Sequence, residues 1–324
     1  MHTRRSILKT AGTAVLAAGA TTTLPLSAYA KAPFAARQAP GFYRLNLGAV
    51  EVTALSDGTI SLPLAKLYKN TTEEKATAAL ATAFQGNPTE TSVNAFLVNT
   101  GDRLVLIDAG TGKYLGPSLG HLVTNIEASG YSAADIDDVI LTHVHTDHSG
   151  GLAIDGKRVF ENATLHVNTR EAAFWRDPAE RQKAAEAIKT QFTEAHAALT
   201  PYIDAGRFET FADNGDVLPG FGSILRAGHT AGHSAIVMES KGSKIVFWGD
   251  ITHGDVLQFD QPDVAIEFDH DKDAAIAARA KAFDEAVAEG YLVAGAHIAF
   301  PGIGHVRRDD SNFDWVPVNY DSTL

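Results

Sequence analysis

The chain has 324 residues, 45 % of them hydrophobic and none of them cysteine, with a formal net charge of −12. That length can bury a sizeable core, and the lack of cysteine excludes disulfides and thiolate metal ligands. The acidic balance, with no basic stripe, excludes nucleic acid as a partner and at long range favours neutral over anionic substrates.

The first 30 residues read as a targeting segment. Thr3-Arg4-Arg5-Ser6-Ile7-Leu8-Lys9 is a twin-arginine pattern, a mild apolar stretch follows to about Leu26, and Ala28-Tyr29-Ala30 supplies a small-x-small cleavage signal. This leader predicts a bacterial protein exported in folded form to the periplasm or medium, with Lys31 opening the mature chain. Thr, Gly and Pro dilute the stretch, and no later run approaches the ~18 apolar residues that span a bilayer, so no stable membrane anchor is expected. Residues 31–41, with Pro33, Pro40 and Gly41, read as a linker, and 42–324 as a single domain.

From Phe42 the pattern turns to strand: Tyr43 to Leu47, Val50 to Leu55, and Ile60 to Leu62 after a turn at Ser56-Asp57-Gly58. Thr71 to Phe84 is Ala-rich and predicts a helix. Val93 to Asn99 and Arg103 to Ile107 flank the turn Thr100-Gly101-Asp102. Pro117 to Ser129 predicts a helix ending at Gly130, and Ala179 to Leu199 a long helix after Pro178. Strands follow near 223–226, 234–239, 244–248 and 291–295, with a helix from Asp273 to Ala288 closed by Gly290. Strand runs with helices between them imply an α/β (α+β) architecture of two packed β-sheets with helices outside.

Directly after the apolar run Val139-Ile140-Leu141 comes Thr142-His143-Val144-His145-Thr146-Asp147-His148-Ser149-Gly150-Gly151. Three imidazoles and a carboxylate within six residues are the ligand types that zinc and its first-row neighbours prefer. One loop cannot fill two coordination shells, so further ligands must come from elsewhere. His229, within Gly228-His229-Thr230, follows a strand-like run, and Asp250 and His297 each end one. Strand ends are where α/β folds place their chemistry.

The set His143-x-His145-x-Asp147-His148, Gly228-His229-Thr230, Asp250 and His297 resembles the metallo-β-lactamase-fold hydrolases. Leu106 to Gly112 resembles the early Asp-bearing loop of that family. Ala296 to His305 and the tail Val316 to Tyr320 are similar to the methyl parathion hydrolase branch. The resemblance implies an αβ/βα sandwich with a dinuclear metal site at one edge of its two sheets. It implies that His143, His145 and His229 hold one metal, that Asp147, His148 and His297 hold the other, and that Asp250 bridges them. Asp250 and Asp147 are then the catalytic carboxylates, and a hydroxide between the metals is the nucleophile. Asp108 is expected to orient ligand imidazoles. Two divalent ions per chain follow, zinc first, with Mn²⁺, Co²⁺ or Fe²⁺ as possibilities. The branch also implies a homodimer.

Trp175 and Phe192 match aromatic positions that receive an aryl group in that branch, although both are equally plausible helix core. Leu115 stands where the organophosphate-hydrolysing pattern has an aromatic residue. His253, close behind Asp250, is a further pocket candidate. His233 reads as support or packing, His305 as loop structure, and His121, His166, His196 and His270 as ordinary core or surface residues. The expected activity is hydrolysis of neutral aryl esters, lactones or organophosphate triesters of the methyl parathion type. A β-lactamase, another acyl hydrolase of the same fold, and a mononuclear iron oxygenase are the alternatives.

Overall fold

The structure is a computed structural model that describes residues 32–323. The segment expected to be a twin-arginine leader with a cleavage signal lies outside the described residues. Chain contacts divide at Gln38, and everything from Ala39 onward forms one compact unit. Among the described residues no helix is long and apolar enough to cross a membrane.

Two seven-stranded sheets make up this unit. The first runs in the spatial order Phe42–Leu47, Val50–Leu62, Thr89–Asn99, Leu104–Ile107, Asp138–Ile140, Thr164–Asn168, Phe208–Phe211. Its first four strands pair antiparallel and its last three join in parallel. The second runs Asn214–Leu218, Phe221–Leu225, Ser234–Ser240, Ser243–His253, Leu292–His297, Ile303–Asp309, Asn312–Pro317. Only Ser243–His253 and Leu292–His297 are parallel in it.

Alternation along the strands explains the layering, because successive side chains leave opposite faces of a sheet. In Thr89–Asn99, Phe96 and Val98 join Val52, Ala54, Val105, Phe221, Ile236 and Phe247 in the core between the sheets. Ala95 and Leu97 point the other way, into a core shared with Leu122, Ile126, Trp175, Phe192 and Ala195 from the outer helices. The outer face of the second sheet is covered by Ala282, Phe283 and Ala286 of the helix Lys272–Glu289. Strands buried on both faces read as continuous apolar runs, which is why these segments lacked a polar face in the sequence. The expected αβ/βα sandwich is therefore what the chain forms.

Several local expectations are corrected. Ser56-Asp57-Gly58 is not a turn; the strand runs unbroken from Val50 to Leu62 and the register slips between Ser56 and Gly58. The bulge turns Asp57 inward, where its carboxylate accepts from the backbone of Thr111, Gly120 and Leu122. By taking up the Leu122 amide, Asp57 delays the helix expected from Pro117, which spans Leu122–Ala128 instead. The long helix expected from Ala179 is two, Pro178–Lys183 and Glu186–Asp204, separated by extended backbone at Ala184 and Ala185. His305, read as loop, lies in the strand Ile303–Asp309 and hydrogen-bonds the Tyr291 carbonyl.

Gly228 has a single tolerable identity. It sits at φ +137°, and a Cβ there would stand 2.2 Å from the Ala275 backbone nitrogen and 2.6 Å from two further backbone atoms of the helix Lys272–Glu289. Gly228→Ala should therefore lower the thermal midpoint of the metal-free protein by about 5 °C or more, combining steric displacement with left-handed strain. An unchanged midpoint would show that the segment leading to His229 is not pinned against that helix.

Candidate metal centre

Strand ends of both sheets converge at one edge. Ile140 ends a strand of the first sheet, and His143, His145, Asp147 and His148 follow it. The Ser243–His253 strand carries Asp250, and Leu292–His297 ends on His297. His229 comes from the loop after Phe221–Leu225. All seven come together. His143, His145, His229 and Asp250 offer ligand atoms that lie within 4.8 Å of one another, and so do Asp147, His148 and His297.

The contacts inside the cluster favour a cation over hydrogen bonding alone. His145 Nδ1 lies 3.1 Å from His143 Nε2 and 2.9 Å from His229 Nε2, so three imidazole nitrogens face each other. Lone pairs that close repel unless a proton or metal stands between them. Tetrahedral ligands at ~2.0–2.1 Å from zinc stand about 3.3 Å apart, close to the spacing found here. Asp250 Oδ2 lies 3.1 Å from His229 Nε2 and 3.2 Å from His297 Nε2, while Oδ1 lies 3.1 Å from His148 Nε2. Asp147 Oδ2 is 3.2 Å from His297 Nε2 and 3.6 Å from His148 Nε2. His148 Nε2 and Asp250 Oδ1 are buried yet lack hydrogen-bond geometry despite their proximity. Orphaned polar atoms of this kind, aimed at a common point, fit a bound ion.

The outward ring atoms are held. His148 Nδ1 donates to Asp108 Oδ2 at 2.8 Å, His229 Nδ1 to Asp269 Oδ1 at 3.0 Å, and His297 Nδ1 to the Ser92 carbonyl at 2.9 Å. Thr142 Oγ1 donates to Asp108 Oδ2 at 2.8 Å and lies 3.1 Å from His143 Nδ1, which donates to it. Each of these bonds fixes a proton on the outer Nδ1 and turns Nε2 inward, the nitrogen a metal would take, and outer groups of this kind fix ligand tautomers. Asp108 adopts φ +61° to reach both partners.

Charge follows from this packing. Burial disfavours the protonated form of every imidazole here. For His143 and His145 burial dominates, and both are held well below the ordinary histidine range. In His229 burial is outweighed by the Asp250 and Asp269 carboxylates, which raise it to about 9. In His297 burial is outweighed by Asp250 and Asp147, which raise it to about 10. The same contest raises His148 well above its usual value, with Asp250, Asp147 and Asp108 prevailing over burial. Against burial, the surrounding imidazoles hold Asp250 well below the carboxylate range.

Of the remaining candidates, His233 is buried and supports the site. Its Nδ1 bonds the Arg226 carbonyl at 3.1 Å, and its Nε2 accepts from the Asp250 amide at 3.0 Å. His253 is inside the cluster, its Nε2 3.2 Å from Asp250 Oδ2 and its ring stacked on His297. Trp175 and Phe192 pack on each other at 4.8 Å and belong to the outer-helix core, yet they also floor a cavity of about 350 Å³ rimmed by Arg176, Arg181 and His196. Trp175 meets His145 edge-on at 5.7 Å. The described contacts do not bring Leu115 into this group; it stands 49 % exposed on its loop. A larger hollow of about 560 Å³ beside Glu239, Lys244, Glu289 and Tyr291 contains none of these residues.

Three residues escaped the sequence reading. Asp269 orients His229. His270, taken as ordinary, packs against His145 at 5.6 Å and Trp175 at 5.8 Å. Glu171, on the helix Thr169–Arg176, accepts from both ligand loops. Its carboxyl is pushed up by burial and pulled back by those donors. Strand-end position marked the candidate ligands, but nothing local marks an acid in a helical run as their support.

Comparison with known proteins agrees with this geometry. The sequence model of the Metallo-beta-lactamase superfamily matches residues 88–297. The crystal structure of the hydrolase AbOPH, described as in the beta lactamase superfamily, superposes with a TM-score of 0.85 at 37 % identity, over 88 % of this chain and 100 % of that one. AidC, a dizinc quorum-quenching lactonase, superposes at 0.81 with 26 % identity, over 87 % and 99 %. A probable metallo-hydrolase of Mycobacterium tuberculosis is 27 % identical over 177 residues, 48 % of this chain. The alignment spans 56 % of that relative's length.

Proposed function

Because the chain belongs to the metallo-beta-lactamase superfamily, we propose that it is a dinuclear metal-dependent hydrolase of neutral lactones and aryl esters, with organophosphate triesters of the methyl parathion type as further substrates. The observation that carries this reading is the His/Asp cluster at the sheet edge, in which His143, His145, His229 and Asp250 form one group, Asp147, His148 and His297 a second, and Asp250, His253 and His297 a third that joins them. His143, His145 and His229 would hold one ion and Asp147, His148 and His297 the other, with Asp250 serving both. A bound metal pair supplies an acidified water and polarises the oxygen of the bond under attack.

The protein's own residues do the rest. Asp250, close to imidazoles of both groups, keeps the two positions adjacent. Asp108, Asp269, Thr142 and the Ser92 carbonyl lock the rings so that their lone pairs need no reorganisation when substrate arrives. Asp147, whose side chain is 22 % exposed, marks the side open to solvent and substrate. His270, exposed and 5.6 Å from His145, and the half-buried Phe174 beside it offer stacking surface to an aryl or acyl portion, with the buried Trp175 and Phe192 packed behind them. The strongly acidic chain selects against anionic substrates. AidC is a lactonase, which supports placing lactones first.

Turnover of the zinc-loaded mature protein on dihydrocoumarin, p-nitrophenyl acetate and methyl parathion, measured side by side, tests the reading. Lactone or ester should lead in kcat/KM. Methyl parathion leading by orders of magnitude would reverse the order of substrates, and no turnover of any of the three would overturn the proposal. Nitrocefin distinguishes the β-lactamase alternative.

A further inference from the structure

Glu171 is fully buried, at 0 % exposure, and no Lys or Arg among the described residues pairs with it. Four donors surround its carboxylate instead. Oε1 accepts from the Val144 amide at 3.0 Å and from Trp175 Nε1 at 2.7 Å. Oε2 accepts from Thr230 Oγ1 at 2.8 Å and from the Gly232 amide at 2.7 Å. Two acceptances per oxygen is the full capacity of an ionised carboxylate, so the site is built for the anion.

The identity of those donors is the point. Val144 lies between His143 and His145, and Thr230 and Gly232 flank the other side of the same metal position, just after His229. Trp175 packs on His145. Nothing bonded to Glu171 belongs to the second position, whose histidines rest on Asp108 and the Ser92 carbonyl. The approach is also sterically committed. A Cβ on Gly232 would stand 2.4 Å from the Glu171 amide and 2.8 Å from its Cβ, so the His229 loop is seated directly on the helix start.

We infer that Glu171 is a positioning residue that clamps the His143–His145 loop to the His229 loop and thereby sets the affinity of one metal position and not the other. This inference rests on the reading that the cluster holds two metal ions. The physical reason is distance. His145 Nδ1 lies 3.1 Å from His143 Nε2 on its own loop and 2.9 Å from His229 Nε2, 84 residues away on the other. A shift of either loop by a fraction of an ångström pulls one nitrogen out of coordination range. Glu171 joins the loops through rigid backbone amides, which a side-chain contact alone would not do.

Glu171→Gln retains the shape of the group but presents an amide NH₂ to donors on one side. The test is metal binding to the full mature chain, stripped by chelator and titrated with Zn²⁺ against a chromophoric competitor, then with Co²⁺ followed by its visible absorption. The expected result is a loss of ~10–100-fold in affinity for one of two metal equivalents, with the other within about threefold, and altered cobalt bands for the weakened position. Equal weakening of both equivalents, or no change in either, would overturn the inference, because a residue that only supports the fold would not discriminate between them. If Glu171→Gln does not fold, Thr230→Val removes a single donor and should give the same asymmetry on a smaller, several-fold scale; a symmetric or absent effect there overturns it equally. Wild-type protein binding fewer than two equivalents would overturn the dinuclear premise itself. Intact two-metal binding without turnover on any ester would refute the proposed function and leave the clamp standing.

Discussion

Asp250→Asn should abolish hydrolysis, with turnover falling by far more than the ~10–100-fold that losing a supporting group outside the ligand sphere costs. The expectation comes from where the carboxylate sits. Its two oxygens lie 3.1–3.2 Å from His148, His229, His253 and His297, and 3.7 Å from His143. Among the described residues no other carboxylate lies this close to histidines of both groups. Asparagine retains one acceptor but puts a non-ligating NH₂ where the second carboxylate oxygen stood, and it removes the charge that would offset two dications. Metal content should fall below two equivalents together with activity. The fold should persist, because the sheet contacts of the Ser243–His253 strand run through Ile245, Val246, Phe247 and Gly249. Undiminished turnover, or loss of activity with both equivalents still bound at wild-type affinity, would remove Asp250 from its shared role.

Much of this candidate site was readable because clusters of metal-ligating residue types are chemically scarce and locally marked. Three histidines and an aspartate crowded after Val139-Ile140-Leu141 have few other uses, and His229, Asp250 and His297 each stand at or near a strand end. What supports them was not readable, for a physical reason. Glu171 meets Gly232 across 61 residues and Asp269 meets His229 across 40, and each sits in a segment whose own pattern suffices to explain an acid. Glu171 reads as the solvated face of a helix, and Asp269 as one of several acids before the helix Lys272–Glu289. Asp57 misled in the opposite way. Ser-Asp-Gly is strong turn chemistry, yet here the same permissive glycine, at φ +132°, serves a bulge inside a continuous strand. The sandwich itself was legible from its apolar strand runs. The edge hairpin Ile303–Asp309 and Asn312–Pro317 was not, since its outer positions are charged and partly exposed.

Metal uptake should release protons and strengthen steeply as pH rises. In the metal-free protein His229 is raised to about 9 and His297 to about 10, and His148 is raised well above its usual value, in each case because neighbouring carboxylates outweigh burial. At neutral pH these rings therefore carry protons that a metal must displace, since only the deprotonated nitrogen coordinates. In the proposed assignment His229 would serve one position and His148 and His297 the other, so both equivalents are affected, the second more. Each proton displaced steepens apparent affinity by about tenfold per pH unit, until pH passes the raised value. For stability the sign is fixed by the same shifts. A histidine whose folded pKa is raised stabilises the metal-free fold fully below about 6.5 and loses that contribution as pH climbs through 9 to 10. His143 and His145, held low by burial, act oppositely and cost stability as pH falls below about 6.5. Zn²⁺ added to the stripped protein at pH 7 in weak buffer with an indicator dye should therefore release two or more protons per chain. Affinity measured from pH 6 to 9 should rise throughout, while the thermal midpoint of the metal-free protein falls at both ends of that range. A flat affinity profile without proton release would mean that these imidazoles stand neutral before the metal arrives, and that the carboxylates around them do not hold the charge the geometry assigns.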